Sequence, residues 1–381
     1  MEMQDYLKVM IDRNASDIYL TAGSAPMYRL EGVVQPVGEK KFTPQDLQTL
    51  AASIMNERQR RDFAEQLEMN LALSYSGFSR FRVNIFWQRG SVGMVIRKIN
   101  VDIATIDDLG LSPILKDIIM LKRGLILVVG ATGSGKSTSL AAMIDHRNRN
   151  APGHIITVED PVEFVHQHKC SIVNQREVGA DTHSFQNALK SAMRQAPDVI
   201  LIGEIRDSET MEAAITFADT GHLCLATLHS TNANQAFERI INFFPESRHA
   251  QVFLQLSLNL KAIISQRLVL GKDAKRVAAL EILLDTPRIK ELIKRGEVDT
   301  LKEAMTQGSQ EGCQTFDMAL YDLYSAGVID LDQALSNADS VNNLRLKIKV
   351  DGAKDGGLAL KPPANGLRLE GQQPIRRLAK L

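Results

Sequence analysis

The sequence has no net charge, few cysteines and no long apolar run, and each absence disfavours a class of protein. Lys plus Arg and Asp plus Glu both number 45 in 381 residues, so no whole-chain field attracts nucleic acid or an anionic membrane. The three cysteines form no CxxC pair, which argues against a disulfide framework or a zinc site; we predict that Cys170, Cys224 and Cys313 are small buried hydrophobes. Without a signal peptide or a run of about 18 apolar residues, we expect a cytoplasmic protein that does not insert into a membrane.

The length favours two folded domains with appendages. Residues 1–100 read as a small mixed domain: a helix leads into a strand, a hairpin turns at Glu31-Gly32, and a helix runs from Pro44 to Leu67. The segment "SRFRVNIFW" then alternates as a strand does, with Arg80 and Arg82 on its polar face. We predict a linker over 101–120.

Short apolar runs separated by helical segments follow from about residue 121: "GLILVVG", "HIITVE", "DVILIGE" and "HLCLATLH". Runs of this kind are typical of a mostly parallel sheet covered on both faces, so we predict an α/β nucleotide-binding core over 121–270. After about Phe244 the sequence pattern predicts helices, beginning with "ESRHAQVFLQLSLNLKAIISQRLV", and we predict a helical subdomain over 271–345. Gly and Pro enrichment predicts a disordered tail over 346–381.

A phosphate-binding loop lies between the first of these strands and a helix. The stretch "GATGSGKST" matches GxxxxGK[ST], and its context of strand and helix supports the match. Backbone N–H groups of such a loop face phosphate, while Lys136 reaches the β- and γ-phosphates and Ser137 ligates Mg²⁺. We therefore predict ATP and Mg²⁺ as cofactors, bound by the loop residues Gly130, Thr132, Gly133, Ser134, Gly135, Lys136, Ser137 and Thr138.

Position relative to a strand end separates the candidate acids, because ligands of open α/β sheets bind outside the carboxyl ends of the strands. Glu204 follows the strand "VILI", so it is placed for the metal or its water, whereas Asp198 precedes the strand and is predicted to be structural. Glu159, Asp160 and Glu163 all follow another strand. At least one of these three is predicted to activate the attacking water, the others holding metal-bound waters.

Histidines and arginines complete the candidate set. His222 and His229 lie seven positions apart, about 23 Å along an extended strand, so they cannot both touch one phosphate. His229, at the carboxyl end, is predicted to sense the γ-phosphate, while His222 either packs in the core or contacts a neighbouring subunit. Arginines that could stabilise transition-state charge, some of them in trans within a ring, are Arg80, Arg82, Arg97, Arg206 and Arg239.

Taken together and in order, these motifs resemble the type IV pilus retraction ATPases, the twitching-motility group within the secretion-ATPase superfamily. The likeness runs through "SDIYLTAGSAPMYRLEG", "SRFRVNIFWQRG", "GATGSGKST", "IITVEDPVEF", "LIGEIRD" and "TGHLCLATLHSTNANQAFERIINFFP", over about residues 5–340. The resemblance implies a PAS-like α+β domain, a RecA-like P-loop core with a helical C-terminal subdomain, and a homohexamer that drives pilus disassembly at the inner membrane.

The resemblance also assigns roles. It implies that Glu163 is the catalytic base, that Glu204 is the Walker B acid, that His222 and His229 form the histidine box with His222 on the nucleotide side, and that Arg80, Arg82 and Arg97 act as arginine fingers. "PRIKELIKRGEV" replaces the "AIRNLIRE"-like stretch of the main retraction motors, which implies an accessory type. Its partners would be a paralogous retraction ATPase and an inner-membrane platform protein.

Other functions share such a core. A pilus-extension or type II secretion ATPase normally adds a four-cysteine zinc module and a long N-terminal region; this sequence has three cysteines, and we expect neither feature. A nucleic-acid translocase would carry a basic, aromatic-bearing stripe, which the balanced charge argues against. An ATP-binding adaptor without motor activity remains open, although the intact acids favour hydrolysis.

Overall fold

A computed structural model describes residues 2–74, 80–99 and 102–354. Its first part is a six-stranded sheet, with neighbouring strands antiparallel, in the order β3-β2-β1-β6-β5-β4. The elements are α1 (Met3–Asp12), β1 (Asp17–Leu20), β2 (Met27–Leu30), β3 (Val33–Pro36), α2 (Pro44–Ile54), α3 (Glu57–Gln66), β4 (Glu68–Ser74), β5 (Arg80–Gln88) and β6 (Ser91–Ile99).

The hairpin at Glu31-Gly32 and the alternation along β5 are confirmed. The single helix predicted from Pro44 to Leu67 is wrong, because the chain breaks into α2 and α3. Asn56 ends the run: its side chain accepts from Gln59 N at 2.9 Å and caps α3. The predicted domain boundary at residue 100 lies outside the described residues.

The second part is a seven-stranded sheet with helices on both faces, in the order β13-β12-β7-β11-β10-β8-β9. All neighbours are parallel except β12 and β13. Its elements are α4 (Ile114–Ile119), β7 (Gly124–Val129), α5 (Lys136–Asn150), β8 (Gly153–Glu159), β9 (Ser171–Glu177), α6 (Phe185–Ala192), β10 (Val199–Ile202), α7 (Ser208–Asp219), β11 (Leu223–Leu228), α8 (Ala233–Asn242), α9 (His249–Asn259), β12 (Leu260–Leu270) and β13 (Arg276–Leu284).

The predicted α/β core is confirmed, and its central strands β7, β10 and β11 are buried at every position. The helical reading of "KAIISQRLV" is wrong. Helix α9 ends at Asn259, and the chain continues without a turn into β12, which pairs with β7 on one side and β13 on the other. The strand β9, which the sequence reading did not pick out, forms the other edge of the sheet.

Up to residue 354, where the description ends, five α-helices follow: α10 (Pro287–Arg295), α11 (Leu301–Gln307), α12 (Phe316–Ser325), α13 (Leu331–Ser336) and α14 (Val341–Lys354). The last three pack on β12 and β13 through a small core around Phe316, Leu320 and Ile329. The segment predicted as a helical subdomain therefore opens with the strand β13. The tail predicted from residue 346 begins inside α14, and its part from 355 onward lies outside the described residues.

Two further expectations concern cysteines and the membrane. Cys224 and Cys313 are buried as predicted, but the prediction is wrong for Cys170, which is exposed directly before the edge strand β9 and whose Sγ donates to Arg149 O. Within the described ranges, no helix has the length and apolar character that a membrane crossing requires.

Candidate nucleotide-hydrolysing site

The phosphate-binding loop joins β7 to α5 at the carboxyl edge of the sheet, as predicted. Gly133 and Gly135 have φ values of +79° and +88°, a left-handed conformation that glycine adopts without a Cβ penalty. The helix α5 begins at Lys136, so its free N–H groups lie where the loop ends. Backbone of this shape forms an anion cradle with the helix dipole behind it.

Two polar side chains of the loop are buried. The Lys136 ammonium donates to Gly130 O at 2.7 Å and to Ala131 O at 3.0 Å. Burial lowers the pKa of Lys136, while Glu204 and Glu163 act to raise it. Ser134 Oγ is buried without a hydrogen-bond partner among the described residues. Phosphate oxygens would satisfy both groups, so the loop fits a nucleotide.

A pocket of about 300 Å³ opens beside this loop and collects many of the predicted residues. Those lining it are Thr132, Gly133, Lys136, Ser137, Glu163, Glu204 and His229. Glu159, Asp160 and Arg206 also line it, so the acids that follow β8 and β10 meet at one edge, as their positions predict. The loop residues Gly130, Ser134, Gly135 and Thr138 support the cradle without lining the pocket.

The acids after β8 have different environments. Glu159 is held at the strand end by Thr157 Oγ1 at 2.6 Å and Gln175 Nε2 at 3.1 Å, and its burial raises its pKa. Glu163 lies four residues later on the connecting loop and is exposed to solvent. Of the two, Glu163 has the accessibility that a base acting on substrate water needs.

Glu204 follows β10, and both its carboxylate oxygens have protein partners. Oε1 lies 3.1 Å from His229 Nε2, and Oε2 accepts from Arg206 Nε at 2.7 Å. The same guanidinium lies 3.4 Å from Asp160 Oδ2, so Arg206 links the acids that follow β8 and β10. Arg239 donates to His229 O at 2.9 Å and fixes the backbone there. His229 therefore lies against Glu204, the predicted metal-side acid.

Asp198 and His222 lie at the amino ends of their strands, as their positions in the sequence predict. Asp198 Oδ2 accepts from His154 N at 2.8 Å, a contact that agrees with the structural role predicted for it. His222 precedes β11 and lies outside the pocket; its Nδ1 is 3.0 Å from Thr220 Oγ1 and its ring meets Phe217 edge-on. A nucleotide contact by His222 stays a prediction.

The three N-terminal arginines lie outside the pocket of their own chain. Arg97 Nε pairs with the buried Asp17 at 2.7 Å. Arg80 lies 4.0 Å from Asp181, and its Nε, like that of Arg82, is buried without a partner in the described part of the chain. Arg80 and Arg82 line a separate cleft of about 1120 Å³ between the two sheets, which Asp160 also borders.

Sequence reasoning missed several residues that shape the site. Thr227 Oγ1, at the end of β11, donates to Gly203 O beside Glu204. Gln266 of β12 accepts from Ser139 Oγ at 2.7 Å beneath the phosphate-binding loop. Gln175 of β9 binds Glu159. Thr227 stands in "LATLH" and could have been found by strand position, whereas Gln266 and Gln175 lie on strands that the reading did not identify.

The chain is similar in sequence and in structure to known proteins. The chain matches the Type II/IV secretion system protein family over residues 2–328. It is 53% identical to the type IV pilus ATPase PilU of Pseudomonas aeruginosa over 97% of both chains, and 42% identical to the retraction ATPase PilT of the same organism over 90% of this chain and all of that one. A crystal structure of the pilus retraction motor PilT with bound ADP superposes with a TM-score of 0.84, at 41% identity, over 91% of this chain and 99% of that one.

The identity to PilU extends over 97% of both chains, and the structural match covers 91% of this chain. The predicted fold class, the ATPase activity class and the family that the motifs suggest are confirmed together. The chain therefore belongs to the type II/IV secretion system proteins and, within them, to the nucleotide-binding type IV pilus ATPases of twitching motility.

Proposed function

We propose that this chain is an ATP-hydrolysing motor of type IV pilus retraction that works beside a paralogous retraction ATPase. The observation that carries the proposal is one edge of the sheet, where the phosphate-binding loop, Glu163, Glu204 and His229 line a single pocket. A loop alone binds nucleotide, whereas acids facing it supply the groups that hydrolysis needs. The identity to PilU over 97% of both chains supports the accessory assignment.

The phosphate-binding loop holds the nucleotide. Its N–H groups and the start of α5 hold the phosphates, and the Lys136 ammonium exchanges its contacts with Gly130 O and Ala131 O for phosphate oxygens. The site fits Mg²⁺ through Ser137 Oγ and, by way of water, Glu204. The metal, when bound, neutralises charge on the β- and γ-phosphates. No group of three metal-ligating side chains stands together in the described ranges, which suits an ion held mainly by phosphate and water.

Activation of water falls to Glu163. It is exposed in the pocket, carries no ion pair within the described residues and lies near enough to Lys136 to act on that ammonium. His229 and Arg206 contact the Glu204 carboxylate from two sides. The orientation of this carboxylate is therefore held fixed during phosphate release. Arg80, Arg82 and Arg97, absent from their own chain's pocket, would supply transition-state charge to the next subunit of a homohexamer.

The assembly we propose is a ring at the inner-membrane base of the pilus, bound peripherally to a platform protein. Pilus retraction is measured in cells that lack the paralogous motor, with and without this chain, and again with both motors present. We expect no retraction by this chain alone. With both motors present, we expect a higher retraction force or frequency than with the paralogous motor alone. Retraction by this chain alone would contradict the accessory role while leaving the motor function standing.

A further inference from the structure

The loop that carries Glu163 is tied down on both sides of that residue by the neighbouring strand. On one side, Val162 N donates to Glu177 Oε2 at 3.2 Å. On the other side, Phe164 O accepts from Gln175 Nε2 at 2.8 Å. Both side chains project from the same face of β9, two residues apart, as a strand requires. Glu163 is thus an exposed residue between two loop residues, Val162 and Phe164, that are bound by side chains of β9. We call this pair of contacts the bracket.

Gln175 makes the most contacts in this bracket. Its Nε2 also donates to Glu159 Oε1 at 3.1 Å, and its Oε1 accepts from His166 N at 2.7 Å. One side-chain amide therefore joins the end of β8, the residue after Glu163 and the residue where the loop returns towards β9. An amide is suited to this task because it donates and accepts from one planar group.

The strands beneath the bracket are in fixed register. Thr157 pairs with Gln175, and Glu159 pairs with Glu177, in the parallel ladder between β8 and β9. Val178 N extends this ladder to Glu159 O at 2.9 Å. The position of Gln175 relative to the phosphate-binding sheet is therefore set by backbone hydrogen bonds, and its contacts transfer that position to the loop.

We infer that Gln175 is a positioning residue for ATP hydrolysis: it acts through Glu163 by holding the loop so that this carboxylate faces the attacking water. The inference rests on the proposed role of Glu163 as the base. Gln175 touches neither substrate nor metal in this account, and it does not line the nucleotide pocket. Its effect is on the rate of hydrolysis and leaves nucleotide binding unchanged.

The test is a double-mutant cycle between Gln175 and Glu163 on the full-length protein. Gln175→Met keeps the length of the side chain and removes all three of its hydrogen-bonding contacts. Asn174→Met is the matched control, because Asn174 lies next on the same strand with its side chain on the opposite face, bound to His154 Nε2. ATP turnover, including single turnover with enzyme in excess, is measured with the KM for ATP and the Kd for ADP.

We expect Gln175→Met to lower kcat by about 10- to 100-fold, the effect of a base displaced by about 1 Å. KM and the Kd for ADP should stay within about twofold, and Asn174→Met should change none of these constants. In the Glu163→Gln background, Gln175→Met should have less than about a twofold effect, because there is no longer a base to position.

Each contrary result has a separate meaning. An unchanged kcat in Gln175→Met, where Glu163→Gln is inactive, would overturn the positioning role and leave the proposed base intact. Multiplicative losses in the double variant, or a lost affinity for ADP, would show that Gln175 supports the fold and would also overturn the inference. Full activity in Glu163→Gln would remove the base itself and, with it, the proposed chemistry.

Discussion

Alanine at Gly135 should destabilise the nucleotide-free protein more than alanine at Gly133. Both glycines belong to the phosphate-binding loop and both have positive φ. They differ in their surroundings. A Cβ on Gly133 would meet no atom within 4 Å, whereas a Cβ on Gly135 would lie 2.8 Å from Gln266 Nε2. Gly133→Ala is therefore the matched control for backbone strain alone.

The magnitudes follow from these contacts. A left-handed conformation costs a non-glycine residue about 1–2 kcal/mol at either position. At Gly135 the new methyl group also displaces Gln266, whose Oε1 accepts from Ser139 Oγ at 2.7 Å in the buried interior. Leaving a buried polar group unpaired costs about 1–3 kcal/mol. The free energy of unfolding should thus fall by about 2 kcal/mol more for Gly135→Ala than for Gly133→Ala.

Thermal unfolding without nucleotide measures this difference. For a domain of this size, 2 kcal/mol corresponds to a Tm lower by about 4–8 °C. In a Gln266→Ala background the overlap is gone, so the two glycine substitutions should then lower Tm equally. Equal Tm values in the wild-type background, or a gap that persists without Gln266, would refute the steric argument.

Two further predictions concern buried and bridging groups near the pocket. Burial lowers the pKa of His166 to about 4, so the unfolded chain binds a proton that the folded chain does not between pH 6.5 and 4. As the pH falls through that window, the free energy of unfolding should fall by about 1.4 kcal/mol per pH unit because of this histidine. In urea unfolding measured at a series of pH values, His166→Phe should remove this part of the pH dependence. The same slope against pH in wild type and variant would contradict the prediction. Arg206→Met should cost at most about 1 kcal/mol of stability, because the Arg206 side chain is 56% exposed, but should lower ATP turnover about tenfold by releasing Glu204. Unchanged turnover would show that Glu204 needs no such partner.

Local patterns predicted the parts of this site that lie at the ends of buried strands. The apolar runs before Glu159 and Glu204 are short and bounded, and parallel strands bring their carboxyl ends to one edge. Position along the chain was therefore enough to group Glu163, Glu204 and His229 and to set Asp198 apart. The same argument placed His222 at the far end of its strand.

The residues that sequence reasoning missed depend on tertiary pairing. The helix α9 and the strand β12 join at Asn259 and Leu260 without glycine or proline, so local pattern does not show where the helix ends. Pairing of β12 with β7 decides the conformation and places Gln266 beneath the loop. Gln175 lies on an edge strand with polar residues on both faces, so the alternation of apolar and polar residues that marks a strand is not visible in its sequence. Its role depends on a loop folded over it, which no local pattern records.

Hydrolysis itself is the central claim, and steady-state ATPase measurement of wild type, Lys136→Ala and Glu204→Ala tests it most directly. Lys136→Ala removes the ammonium that grips phosphate, and Glu204→Ala removes the acid that faces it. We expect measurable turnover in wild type, stimulated when the paralogous motor is added, and loss of at least about 100-fold in either variant. Indistinguishable near-zero rates in all three proteins, with ADP still bound by wild type, would contradict the motor and identify an adaptor that binds nucleotide without using it.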